Sequence, residues 1–232
     1  MQTMMKTVLA TALFGAAACA QAQNADRGWY VGVGLGASSY SDDLPKQIRN
    51  GYAGSSVFTV TDARTTDDSD TAAQIFVGYA FTPWLALEIG YQDLGEARTH
   101  YDLAAINSPQ SKPPSVTGRY RASDVNAAVV GTLPINDQFE LLARAGVSDV
   151  RLKYDERGSD VHGDAFSRSY GSDDSTHPTV GIGALWRFSP QFSVRVDLDR
   201  NFNVGRKYAL TPDTNGRFDN IDAYTVNLIW KL

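Results

Sequence analysis

The feature that most constrains this chain is a two-residue alternation that recurs in eight segments and leaves one face of each nearly free of charge. Successive side chains of an extended strand point to opposite faces, so each segment reads as a strand. In the first, Trp29, Val31, Val33, Leu35 and Ala37 oppose Tyr30, Gly32, Gly34, Gly36 and Ser38. The next three run over 73–81, 85–92 and 124–133, and the last four over 139–148, 180–188, 192–199 and 224–232. Their apolar faces carry residues such as Ile75, Leu87, Val129, Leu141, Ile182, Val196 and Val226. Their other faces carry small, polar and ionised groups, among them Glu88, Arg144, Arg195 and Asp197. A soluble sandwich buries its apolar face and spreads Lys, Glu and Thr outside. A transmembrane barrel needs an apolar outer band and tolerates a polar lumen. The expected fold is therefore all-β: an eight-stranded antiparallel up-and-down transmembrane β-barrel.

The connections point the same way. Three are short turns, around Thr82-Pro83, Pro134 to Gln138 and Ser189-Pro190-Gln191. The other four are long and polar, roughly Ser41 to Asp70, Gly95 to Arg119, Asp155 to Thr176 and Gly205 to Asp219. Short periplasmic turns and long extracellular loops are the outer-membrane pattern. Trp29, Trp84, Trp186 and Trp230 all fall near strand ends on the short-turn side. An indole suits a membrane interface, where its ring is apolar and its N–H stays wet. These four are the expected interfacial girdle, extended by Phe81, Phe139, Phe188 and Phe192. Proline is absent from the middle of every strand, as a hydrogen-bonded ladder requires. The spacing of Val147 and Val150 predicts a β-bulge near Ser148-Asp149, after which Leu152 and Tyr154 resume the apolar face. Beyond the leader no helix is expected.

The one long apolar run is N-terminal: Lys6, then Val8 to Ala18, ending in Ala20-Gln21-Ala22. It reads as a secretory leader over 1–22, with the barrel over 23–232. The single cysteine, Cys19, lies in that leader; a lipoprotein site there would want leucine where Ala16 stands. Disulfides, cysteine nucleophiles and thiolate metal sites are thereby excluded from the mature chain. With 21 basic and 26 acidic residues the net charge is −5, which argues against a nucleic-acid partner held by phosphate neutralisation.

Phe81-Thr-Pro-Trp-Leu-Ala-Leu-Glu88-Ile-Gly-Tyr91-Gln-Asp-Leu-Gly95 resembles the second turn and third strand of OmpA-like transmembrane domains. Gly183-Ala-Leu-Trp-Arg-Phe-Ser-Pro190-Gln-Phe-Ser-Val-Arg195-Val-Asp197 is similar to their sixth-to-seventh hairpin. The resemblance covers the barrel alone, so a cell-wall tether is not carried over. It implies the outer membrane as location, with the bilayer and lipopolysaccharide as surroundings. The insertion machinery and periplasmic chaperones are implied as assembly partners, and a monomer is expected. The family's last residue is usually aromatic where this chain has Leu232.

Eight strands leave an interior just wide enough for side chains, which disfavours a broad channel. Glu88, Arg144, Arg195 and Asp197 are expected to form one charged lumen layer about 10 Å above the periplasmic rim. Glu140, Arg187 and Lys231 would be lumen charges near that rim. The resemblance implies a salt-bridge plug linked to gating at the positions of Glu88 and Arg195. Val130 and Leu185, however, stand where the family's exchangeable lysine and second glutamate would be. Other readings stay open: an OmpW-like narrow channel for ions or small hydrophobic molecules, or a lipid A-modifying enzyme. No His-x-Ser pair supports the latter, and only His177, near Asp174 and Ser175, could serve an outer-rim site. His100, His162 and His177 lack metal-ligand spacing, and Asp67, Asp68 and Asp70, or Asp173 and Asp174, read as solvated acidic loops. No cofactor or metal is expected. Gly32-x-Gly34-x-Gly36 lacks the spacing and following helix of a dinucleotide loop and reads as small residues facing the lumen.

Overall fold

The computed structural model describes residues 27–42, 44–107, 113–160, 162–204 and 218–232. The leader over 1–22, with Cys19, lies outside them, as does most of the connection from Gly205 to Asp219. Nine strands are described: β1 (Gly28–Asp42), β2 (Phe58–Asp67), β3 (Ser69–Thr82), β4 (Leu85–Ala105), β5 (Ser115–Pro134), β6 (Phe139–Ser159), β7 (Ala165–Arg187), β8 (Phe192–Phe202) and β9 (Phe218–Lys231). Eight of them close an antiparallel ring in the order β1-β3-β4-β5-β6-β7-β8-β9, with β9 pairing back onto β1. β2 continues the line of β3 after Asp68 and pairs with the upper half of β4, from Arg98 to Ala105. Closure removes sheet edges from the zone where no water could satisfy a free backbone N–H or C=O.

The strand faces fall as their alternation requires. Val33, Leu35, Ile89, Val129, Leu141, Val147, Ile182, Val196 and Val226 point outward and are exposed, Leu35 to 68%. The partner residues point into the lumen and are buried, Glu88 and Asn227 to 0%. Such an exterior is stable only against acyl chains.

Three features differ from the sequence expectation, and they have one origin. First, the connections are shorter than their polarity suggested: β4 runs on to Ala105, β5 begins at Ser115, and β6 and β7 reach Ser159 and Ala165. Second, the connection after β1 contains a helix, α1 (Leu44–Tyr52), which buries Leu44 and Ile48, four residues apart on one face. Two apolar side chains are too few to announce a helix by periodicity. Third, β6 has no bulge at Ser148-Asp149: Ser148 pairs with Asn126 and His177, and Asp149 with Val125 and Thr176, in unbroken register.

The origin is an inversion of facing with height. Val147 points out, while Val150, Leu152 and Tyr154 keep the same alternation and point in, at 0%, 1% and 2% exposure. Towards the long-loop end the ring stands clear of the apolar band and packs like a water-soluble protein, oily inside and polar outside. Its core joins Tyr40, Leu44, Leu94, Tyr120, Val150, Leu152, Tyr154, Phe218 and Ile221. A second cluster of Ile48, Ala63, Tyr101, Leu103 and Val116 lies beside α1 and β2. In β4 a bulge resets the phase: its register against β5 shifts between Asp93 and Glu96, where Gly95 has φ +71°. Asp70 accepts the Glu96 N–H at 2.8 Å and Asp93 accepts the Gly95 N–H at 2.9 Å, pinning the bulge.

This inversion predicts unequal responses to truncation. Leu152→Ala opens a cavity in the upper core and is expected to lower the unfolding free energy by about 2–5 kcal/mol in urea titrations from lipid vesicles. Val147→Ala, whose space lipid refills, should lose much less. Equal losses would mean that Leu152 faces lipid.

Candidate functional site

Inside the ring, small residues make room for large ones across the strand pairs. Gly32 stands opposite Phe76, and Gly78 opposite Tyr30. A Cβ on Gly32 would lie 2.1 Å from the Phe76 ring, and one on Gly78 would lie 2.2 Å from the Tyr30 ring. The two bare backbones let these rings lie across the lumen, where both meet the charged groups.

Those groups form one network. From β8, Arg195 donates through Nη1 to Glu88 Oε1 at 2.5 Å, through Nη2 to Glu88 Oε2 at 3.2 Å, and through Nε to Asp197 Oδ2 at 2.8 Å. Arg144 of β6 lies 3.6 Å from Glu88 Oε2 and 3.9 Å from Asp197 Oδ2, and donates to Asp199 Oδ2 at 3.1 Å. Tyr30 donates its hydroxyl to Glu88 at 2.7 Å, and Asn227 donates to Asp197 at 2.9 Å. Gln74 continues the chain to Asn227 at 2.6 Å and to Thr225 at 2.8 Å. The Arg195 guanidinium also stacks over Phe76, 4.4 Å from the ring centroid. The structure thus brings together Glu88, Arg144, Arg195 and Asp197, and adds Asp199, Tyr30, Asn227 and Phe76. Asp199 shares the phase of Asp197 two residues away, so alternation alone could have placed it in the network. The aromatic and amide partners come from strands far apart in sequence and left no such signal.

Apolar clusters lie on both sides of the layer. On the short-turn side Ala86, Val130 and Leu142 pack with Tyr30, Ala80 and Leu185 into an apolar floor. Val130 and Leu185, at the positions where partner-exchanging charges would sit, are therefore packing residues. Nearer that rim Glu140 forms an ion pair with Arg187, and Lys231 stands half-exposed at the end of β9. On the long-loop side Asp124 accepts from Asn126 at 2.8 Å and from Asn201 at 3.3 Å, beneath the Tyr120–Leu152 core.

The four tryptophans sit at the short-turn end. Rings run along that rim in contact: Phe139 with Trp186, Trp186 with Phe188, Phe188 with Phe192, and Phe192 with Trp230. On the other side Trp29 meets Tyr79, which meets Phe81. Trp84 is 58% exposed in the β3–β4 turn.

His177 faces the lumen rather than the outer rim. It is buried, with Nε2 2.6 Å from Ser175 Oγ, while Asp174 points outward to Arg151. The three residues form no catalytic relay. Among the described residues no group of three His, Cys, Asp or Glu is placed to hold a metal. At the long-loop end Glu156 is a buried carboxylate held by tyrosines: Tyr170 donates at 2.7 Å, Tyr101 at 3.2 Å, and Tyr154 also donates. Burial first, then the Glu156 charge, pushes the Tyr101 hydroxyl far above its ordinary range.

A closed eight-stranded ring with an oily exterior, a salt-bridged interior and aromatic residues at its rim is an outer-membrane β-barrel. The chain belongs to the outer membrane protein beta-barrel domain family, which it matches over residues 7–231. It is 27% identical over 218 residues to Outer membrane protein A of Escherichia coli O157:H7, covering 92% of this chain and 52% of that protein. To Outer membrane protein A of Serratia marcescens it is 28% identical over 201 residues, covering 85% of this chain and 48% of the other. The chain spans about half the length of the curated relatives it matches. Among solved structures, Neisserial surface protein A aligns over 88% of this chain and 97% of its own, with 13% identity and a TM-score of 0.49. The protein is accordingly an OmpA-like barrel of the outer membrane.

Arg195→Ala is expected to destabilise the barrel by about 3–5 kcal/mol, because it strands Glu88 and Asp197 as unpaired buried charges. Arg195→Leu combined with Glu88→Leu should recover much of that loss in the same urea titration. No recovery in the double variant would show that the two groups do not act as a pair.

Proposed function

We propose that this barrel serves as a closed, rigid surface scaffold of the outer membrane, without catalysis and without a resting pore. The observation that carries the reading is the three-storey filling of the lumen. On this view an apolar floor, a salt-bridged layer and a second apolar core together deny ions a continuous polar path. In this reading residues 1–22 are a cleaved leader and the short turns face the periplasm, where the Trp29, Trp84, Trp186 and Trp230 girdle marks the inner interface. The long-loop end, with its soluble-type core and α1, then stands at the cell surface, where connecting segments carry binding specificity. Export chaperones and the outer-membrane insertion machinery would deliver the chain as a monomer into a bilayer whose outer leaflet is lipopolysaccharide.

Glu88, Arg144, Arg195 and Asp197 act in this reading as structural ties across the ring. Val130 and Leu185 offer no charged partner for exchange at the floor, and the second cation near Glu88, Arg144, is itself tied to Asp199. An enzyme working on lipid A needs its nucleophile on the lipid side, whereas Ser175 and His177 face inward beneath the upper core.

Planar-bilayer recording of the refolded protein tests the proposal. The wild type is expected to show no sustained conductance steps, and Arg195→Ala to lose stability without gaining them. Sustained steps in the wild type would sink the closed-scaffold reading, and steps appearing only in Arg195→Ala would replace it with a gated pore.

A further inference from the structure

We propose that the lumen holds a site for one calcium ion, lying between the salt-bridged layer and the upper core and built from Asp124, Asn126, Ser148 and Asn201. It goes beyond the scaffold reading and needs only the closed ring described above.

Buried charge does not balance inside the ring. Glu140 pairs with Arg187 at the short-turn rim, and Glu156 is held by tyrosines at the other end. Between them the described residues set four buried carboxylates, Glu88, Asp124, Asp197 and Asp199, against two buried guanidiniums, Arg144 and Arg195. With His177 neutral, two negative charges are in excess. Arg195 is engaged by Glu88 and Asp197, and Arg144 lies among Glu88, Asp197 and Asp199. Among the described residues Asp124 is the one of the four carboxylates outside these ion pairs; it accepts from Asn126 at 2.8 Å and from Asn201 at 3.3 Å. A carboxylate held away from water without a cation is strongly unfavourable, and it recruits either a proton or a positive ion.

The surroundings of Asp124 favour the ion. Asn126 and Asn201 turn their amide nitrogens towards it and leave both Oδ1 atoms without a hydrogen-bond partner. The Ser148 hydroxyl lies beside the carboxylate yet makes no well-directed bond. All three side chains are more than nine-tenths buried, at 8%, 2% and 0% exposure. Register brings them together: Asn126 stands opposite Ser148, and Asn201 lies on β8, separated from β5 by β6 and β7, so its bond to Asp124 crosses the lumen. A protonated Asp124 has one O–H and serves at most one of these oxygens. A metal ion serves all of them. Half a turn of each amide about its last bond exchanges nitrogen and oxygen in nearly the same space, and then one carboxylate, two amide oxygens and a hydroxyl face a common point. Such a set, without sulfur or imidazole, suits a hard cation. Calcium accepts irregular mixed oxygen shells at about 2.3–2.6 Å, whereas magnesium demands a near-octahedral shell and keeps several waters. The two charges of the ion also match the excess. Flanked by apolar clusters, it is taken up while β5, β6 and β8 assemble.

The test refolds the full-length protein from urea into phosphatidylcholine vesicles across a series of radioactive calcium concentrations, then passes it through a chelating column and counts the retained ion. The wild type is expected to hold about one ion per chain. Asp124→Asn, which keeps the shape and removes the charge, should raise the half-saturating calcium concentration by at least about 100-fold, and Asn201→Ala by about tenfold. Asp137→Asn, an exposed carboxylate in the turn between β5 and β6, should change it by less than about twofold. The urea midpoint of the wild type is expected to rise with calcium, and that of Asp124→Asn to stay where it is. A wild type that retains no calcium leaves those oxygens to water or a proton and overturns the site. Equal retention by wild type and Asp124→Asn places the ion elsewhere and overturns it too, as does equal retention of magnesium at the same concentration. If Asp124→Asn does not refold, Asn201→Ala decides, and an unchanged half-saturating concentration there sinks the proposal.

Discussion

The structure depends on closing the backbone hydrogen-bond ladder where no water is available. A free strand edge in hydrocarbon costs several kcal/mol per unpaired group, so the eight membrane-level strands must form a ring. The β9–β1 pairing from Tyr30↔Lys231 upward supplies the last seam. Outside that zone the demand relaxes. The upper part of β7 extends beyond its pairing with β8, which begins at Thr179↔Asn201, and β2 lies beyond the ring on the upper half of β4. Both can remain because water can satisfy their open edges.

A second consequence is that facing depends on height. Around the apolar band the cheapest arrangement puts Val147 outward and Arg144 inward; higher up, the same unbroken strand puts Lys153 outward and Leu152 inward. The solvent outside changes from acyl chain to water, so the side chains exchange roles without any change in backbone geometry. The charged layer then sits between two apolar plugs. Its two guanidiniums meet three carboxylates, Glu88, Asp197 and Asp199, and the hydroxyl of Tyr30 and amide of Asn227 complete the coordination. In such a setting ion pairs fix which strands stand opposite one another, because removing any one partner leaves its neighbours buried and charged.

Much of this was legible along the chain because side-chain alternation is local. Eight segments, their outward faces and the inward phase of Glu88, Arg144, Arg195 and Asp197 follow from a period of two, and the end at which the four tryptophans gather follows from the short connections. The same rule loses its meaning where the solvent outside the ring changes. Leu152 and Tyr154 belong to the outer face, with a bulge before them, only if every apolar residue faces lipid; with water outside the upper barrel they turn inward in unbroken register. The bulge at Gly95 carries a glycine between Leu94 and Glu96 but no break in hydrophobic pattern large enough to reveal it. Polar stretches such as 95–105 and 165–176 read as loops because strands with a watery exterior and a mixed interior lose the charge-free face. The helix Leu44–Tyr52 rests on only two buried anchors.

By itself the sequence determined strand number, strand phase and the need for an oily surrounding, since each follows from residues one or two positions apart. Only the tertiary structure decided who meets whom across the lumen. That Arg195 grips Glu88 rather than another acid, that Tyr30 and Phe76 fill the spaces left by Gly78 and Gly32, and that Asn201 reaches Asp124 across the lumen all depend on register between strands. Register is settled by ring closure and by the fit of large side chains against bare backbone, interactions between residues tens of positions apart that no local pattern encodes.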